Sequence, residues 1–198
     1  MDRRDVLRVL SAGIAMAGIR AATPERLLAG ALDIHDRIGS RTEGQTPQIL
    51  TRHQDETVTA IAERIIPETD TPGARAARVN EFIDIMLAEW VSDDDRDSFI
   101  RGLVLIDVRA SETHGSRFVD LTSDHQDDLL SSLDAEVSAL READLAPADH
   151  FFQRMKWFTM YGYYTSEIGA TQELAQVIIP ERYDPCGPVR RDASGQWE

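Results

Sequence analysis

The stretch Thr51-Arg52-His53-Gln54-Asp55-Glu56-Thr57-Val58-Thr59-Ala60-Ile61-Ala62-Glu63-Arg64-Ile65-Ile66-Pro67 decides the fold class. Thr51 with Gln54 three residues on has the form of a capping box, in which each side chain takes a backbone N–H left free at a helix start. Val58, Ile61, Ala62, Ile65 and Ile66 then recur at helical spacing with charged residues between them, and Pro67 stops the run. Pro67 to Gly73 is a loop of turn formers. The same grammar continues downstream. Asn80 is a candidate cap for a second helix with Phe82, Ile83, Met86, Leu87 and Trp90 on one stripe. Ser92 followed by Asp93-Asp94-Asp95 supplies a cap and an acidic first turn, favourable at the positive end of a helix dipole. Phe99, Ile100, Leu103, Ile106 and Ala110 form a third stripe, closed near Gly115. Ser123 with Gln126 repeats the capping form before Leu129, Leu130, Leu133, Val137 and Leu140. A fifth helix is expected from about Ala148 to Tyr161, behind Pro147 and broken by Gly162. No stretch alternates apolar and polar residues for long enough to make a strand. The fold class is therefore all-α: a single compact domain of about five or six antiparallel helices.

Outward from this body, residues 49–180, the chain changes character. Residues 23–48 hold Leu27, Leu28, Leu32 and Ile38, enough for one or two helical turns, but are punctuated by Gly30, Gly39, Gly44 and Pro47. They are expected to be a linker or an arm laid over the surface. Residues 181–198 are expected to be an irregular C-terminal tail. Residues 1–22 begin with a charged head, Asp2-Arg3-Arg4-Asp5, and continue with a short apolar run from Val9 to Ile19, the layout of an export signal. Eleven residues do not span a ~30 Å hydrocarbon core. Arg3 and Arg4, followed after a spacer by Val6, Leu7 and the basic Arg8, have the pattern of a twin-arginine signal. The expected location is the periplasm or beyond, with the twin-arginine translocase as a transport partner.

Composition narrows the function classes. The 198 residues carry 21 Lys+Arg against 35 Asp+Glu, a formal net charge of −14. Nucleic acid is not an expected partner, because phosphates call for a basic face. Removing residues 1–22 takes away four Arg and two Asp and leaves the remainder at −16. A single cysteine, Cys186, excludes an internal disulfide framework and any zinc site of several thiolates. Cys186 lies between Pro185 and Gly187-Pro188, and in an oxidising compartment such a thiol either pairs with another chain or stays unpaired under the tail.

Seven of the 13 aromatic residues fall between Phe151 and Tyr164. Phe151, Met155 and Phe158 share a face suited to the core. Phe152, Trp157, Tyr161, Tyr163 and Tyr164 do not fit on that same face, so the helix is apolar nearly all round. It is either a central helix of one core or a helix that shares its surplus aromatics with a partner. Candidates for such an interface are Trp157, Tyr161, Tyr163 and Tyr164, with Tyr183 in the tail. No catalytic constellation stands out. The five histidines include no pair at helical spacing, and there is no Glu-x-x-His, Gly-x-Gly-x-x-Gly, phosphate loop, Gly-x-Ser-x-Gly or haem-attachment motif. No catalytic, cofactor-binding or metal-ligating residues are assigned to this chain.

Three stretches together resemble the gluconate 2-dehydrogenase subunit 3 family. One is Ile65-Ile66-Pro67-Glu68-Thr69-Asp70-Thr71-Pro72-Gly73-Ala74 with Val79 and Phe82-Ile83. Another is Phe99 through Gly102-Leu103 with Asp107. The last is Phe151-Phe152, Thr159, Gly162-Tyr163-Tyr164-Thr165-Ser166-Glu167, Pro180, Tyr183 and Cys186. The resemblance implies a non-catalytic small subunit that binds, helps mature and co-exports a folded sugar or polyol dehydrogenase. Its large-subunit partner would be a flavoprotein of the glucose–methanol–choline type holding FAD. A multihaem cytochrome c often takes the electrons in such complexes. The complex would be membrane-associated, and Cys186 becomes a candidate for a disulfide to the large subunit. A stand-alone exported helical protein that binds a metal or a small molecule is the competing reading. His53 and His125, or the aromatic helix, would serve it.

Overall fold

The computed structural model describes residues 23–41, 46–145 and 147–174, which fold as one all-α domain without a strand among them. Six α-helices form it: α1 (Pro24–Gly39), α2 (Arg52–Ile65), α3 (Val79–Glu89), α4 (Asp93–His114), α5 (Ser123–Glu142) and α6 (Phe151–Thr165). Short 3-10 turns at Phe118–Asp120 and Pro147–Asp149 lead into α5 and α6, and a π-helical turn, Gly169–Glu173, follows α6. α6 is the hub, packed against each of the other five helices.

The helix starts show how local sequence sets the elements. Thr51 Oγ1 accepts from the Gln54 N–H at 3.3 Å and Gln54 Oε1 accepts from the Thr51 N–H at 2.9 Å, a complete capping box. Ser92 caps α4 through the Asp95 N–H at 3.2 Å. α4 ends at Gly115 with φ 74°, a left-handed conformation that glycine adopts without a Cβ penalty.

Three starts differ from the sequence expectation. The cap of α5 is Thr122, one residue before Ser123, and Gln126 instead turns inward to donate to the Phe118 carbonyl at 3.0 Å. Asn80 is not a cap. α3 begins behind Arg78 in the left-handed region, φ 53°, and the Asn80 amide donates to Asp55 at 2.8 Å. The Arg78 guanidinium holds both oxygens of Glu81 and donates to the Ile38 carbonyl, contacts that offset the strained backbone. α6 starts at Phe151, where His150 Nδ1 accepts from the Phe152 N–H. It does not break at Gly162 but continues to Thr165. A Cβ at 162 would stand 2.8 Å from Phe82 Cδ1, so glycine serves there to bring α3 close.

The stretch expected to form an arm is a four-turn helix, longer than the one or two turns expected. Leu27, Ala31, Ile34 and Ile38 of α1 are buried against α3 and α6, while Leu28 and Leu32 face outward. The connection from α1 to α2 is tied by one buried carboxylate. Asp84 of α3, 1% exposed, accepts from three successive backbone N–H groups: Gln48 at 2.6 Å, and Ile49 and Leu50 at 3.0 Å each. Removing a carboxylate that satisfies three such donors leaves them unpaired. We expect Asp84→Ala to lower the unfolding free energy by about 3 kcal/mol or more, and Asp84→Asn by less, in urea titrations with an unchanged m-value.

Candidate partner-binding surface

The aromatic residues nominated for an interface are placed by the structure mostly inside this domain. Trp157, Tyr161 and Tyr163 are 2%, 6% and 1% exposed, and Tyr164 is half-buried. Trp157 stacks on Tyr161 with ring centroids 4.9 Å apart, and Tyr161 meets Phe82 of α3 edge-on at 5.5 Å. The Tyr161 hydroxyl donates to the Leu27 carbonyl of α1, and the Tyr163 hydroxyl to the Pro72 carbonyl at 2.7 Å. These tyrosines lack free tips because α1 and the loop after α2 take them. Of the two alternatives for this helix, the central one is what the structure shows. Arg3, Arg4, Val6, Leu7, Tyr183 and Cys186 lie outside the described residues.

His35 shows how closely α1 is fitted to this cluster. Its ring stacks on Phe82 at 5.0 Å, and its Nε2 lies 3.0 Å from Thr165 Oγ1. The Thr165 hydroxyl already donates to the Tyr161 carbonyl, so Nε2–H is the donor to Thr165. Burial brings the His35 pKa down to about 4, against the weaker upward pull of the Gly162 backbone and Asp36.

The loop 67–74 is held from several sides. The Glu63 carboxylate accepts from the N–H groups of Glu68 (3.0 Å) and Arg75 (2.8 Å), and the Thr71 hydroxyl donates to Glu173 at 2.7 Å. Pro67, Glu68, Thr69 and Asp70 are exposed on it.

The titratable pairs that resemble catalytic ones are also engaged in packing. His53 Nε2 contacts Asp107, but the other Asp107 oxygen accepts from the Phe118 N–H, and His53 Nδ1 is buried with no hydrogen-bond partner. A nucleophile-activating histidine needs that second nitrogen on a hydroxyl or thiol. Glu136 bridges Arg109 and His150, and the Arg109 guanidinium holds its carboxyl below the usual range. The His114 and His125 rings stack at 4.1 Å. Among the described residues no group of three or more His, Cys, Asp or Glu is placed to hold a metal ion. No helix among them is long and apolar enough to cross a membrane.

Two open grooves mark the surface. One of about 780 Å³ runs between α2, α5 and α6 over Ile65, Leu130 and Phe152, bordered by the pairs Arg64–Asp127 and Lys156–Asp134. The other, about 530 Å³, is lined by Asp55, Arg75, Arg78 and Glu81. Among the described residues, Val104, Leu105 and Val108 on the outer side of α4 are the largest set of exposed bulky apolar side chains on one helix, ahead of Leu28 and Leu32 on α1. Sequence reasoning missed them because it assigned α4 a single inward stripe. The signal was a second apolar set at three- and four-residue spacing.

What these features define is a helical packing module with polar pairs committed to its own structure. The chain belongs to the gluconate 2-dehydrogenase subunit 3 family, whose model matches residues 52–185. That description is of a subunit of a gluconate dehydrogenase complex. The match starts at the first residue of α2, so α1 lies outside it. No curated protein and no solved structure matches the chain.

His35 makes the docking of α1 pH-dependent. An unfolded histidine titrates near 6.5, so between pH 6.5 and about 4 the unfolded chain binds a proton that the folded chain does not. The stability associated with neutral His35 is therefore present above pH 6.5 and lost as pH falls toward 4, by at most about 3 kcal/mol. In denaturant titrations from pH 7 to 4, the stability gap between wild type and His35→Gln should narrow steadily. A constant gap would show that His35 does not titrate with folding.

Proposed function

We propose that this chain is the non-catalytic small subunit of a periplasmic, membrane-associated sugar or polyol dehydrogenase. It binds the folded large subunit, a flavoprotein of the glucose–methanol–choline type, helps it mature, and carries it through the twin-arginine translocase. The observation that carries this reading is the family match over residues 52–185. The Arg3-Arg4 leader and the engagement of His53, Asp107, Glu136 and His150 in packing support it. FAD belongs to the partner, and haem c to a third, cytochrome subunit that receives the electrons.

Replacing Arg3 and Arg4 together by Lys tests the export role. Cell fractionation should find both this chain and the flavoprotein retained in the cytoplasm, with periplasmic dehydrogenase activity reduced at least about tenfold, as befits loss of the recognition pair. Normal export of the flavoprotein would refute the escort role. Cys186 is proposed to form a disulfide with the large subunit. Non-reducing electrophoresis should give one cross-linked band that thiol reduction or Cys186→Ser splits into two.

A further inference from the structure

α4 is apolar on two sides. Phe99, Leu103, Ile106 and Ala110 point into the core, whereas Val104, Leu105 and Val108 are 53%, 57% and 44% exposed. At ~100° per residue, Arg101 and Glu112 lie on the same outward arc as Leu105 and Val108. From Arg101 to Glu112 the outer stripe therefore reads basic, apolar, acidic; Asp94 and Asp97, exposed on the same arc, lie N-terminal to it, outside the stretch that pairs below. Arg101 and Glu112 are both exposed, and neither makes an ion pair among the described residues, although Arg109 beside them is held by Glu136. A stripe that runs from a free cation through an apolar centre to a free anion is its own complement when reversed.

We infer that this stripe seats a second copy of the chain, with the two α4 helices antiparallel across a twofold axis. Centred midway between Arg101 and Glu112, the pairing sets Arg101 against Glu112 of the partner subunit, and Leu105 against Val108 of the partner subunit. The twofold repeats each contact, as an isologous interface requires. The helices overlap over residues 99–114 of each, about 16 residues or ~24 Å. One short helix face from each copy buries well under the ~800 Å² per partner of a standard complex, so the dimer is weak. Charge favours a like partner of this kind at this place only. Two copies at −14 each repel in general, and the free Arg101 facing a free Glu112 locally reverses the sign.

Sedimentation equilibrium of the full chain without the flavoprotein tests this at physiological salt, where screening confines charge effects to ~8 Å. From about 10 to 500 µM, a range suited to so small an interface, the average mass should climb from 22.2 kDa toward twice that value. Arg101→Glu and Glu112→Arg should each weaken association at least about tenfold, since like charges then meet twice. The double exchange, Arg101→Glu with Glu112→Arg, should restore it, and Leu105→Asp should abolish it. Equal helicity and thermal unfolding midpoints would establish that the variants are folded. A chain that stays monomeric throughout, single exchanges without effect, or a double exchange that fails to recover would each overturn the inference. Were Leu105→Asp instead to release the flavoprotein from a pull-down while the wild-type chain stays monomeric, the stripe would be the flavoprotein's seat. The dimer would then be excluded and the subunit role would stand.

Discussion

A helix that carries Phe152, Met155, Trp157, Phe158, Tyr161 and Tyr163 within fifteen residues has no side to give to water. The rest of the domain answers that requirement. α3 closes on α6 through Gly162, and α4 contributes Phe99 against Phe158 at 5.7 Å. α2, α5 and α1 cover what remains. Polar atoms on α6 are dealt with in the same way. The Tyr161 and Tyr163 hydroxyls end on backbone carbonyls, and Arg154, 7% exposed, is neutralised by Asp95 at 2.7 Å. A buried guanidinium is tolerated because its charge is paired and its other donors find acceptors on the Ala148 and Asp95 carbonyls.

Much of this was legible from residue patterns. The capping box of Thr51 and Gln54, Ser92 with its acidic turn, Gly115, and the stripes Val58–Ile61–Ala62 and Phe99–Leu103–Ile106 each mark an element the structure contains, because capping and helical periodicity are local physics. The misses came from tertiary partners. α1 looked weak because Leu28 and Leu32 were counted with Leu27, whereas the packed stripe is Leu27, Ala31, Ile34 and Ile38. Gly162 looked like a breaker because its job is to admit Phe82 from another helix. Asn80 and Gln126 looked like capping residues, and both spend their amides on distant partners. Thr122 and Ser123 are chemically equivalent caps, so neighbouring packing chooses between them.

The candidate site was less legible than the fold, for a related reason. Aromatic surplus in a sequence does not say whether the covering surface belongs to the same chain. Here α1, outside the family-matched region, supplies that cover for Tyr161 and Phe82 through Leu27 and His35. With the aromatics enclosed, the open apolar features among the described residues include the outer side of α4, Leu28 and Leu32 of α1, and the groove over Ile65, Leu130 and Phe152. Residues of the family-like stretches mostly hold the fold: Asp107 ties His53 to the turn before α5, and Ser166 binds the Gly169 N–H to end α6. The exposed loop from Pro67 to Asp70 stands apart, held in place but turned to solvent.

The non-catalytic role proposed for this chain requires that it bind a flavoprotein and hold no flavin of its own. Affinity purification of the tagged chain from the periplasm, followed by native mass spectrometry and a flavin absorption spectrum of each separated subunit, tests it most directly. The expected result is one complex containing this chain and a larger flavoprotein, with FAD on the larger subunit and dehydrogenase activity lost from this chain once the two are parted. Isolation of this chain free of any flavoprotein, or with flavin or turnover of its own, would contradict it.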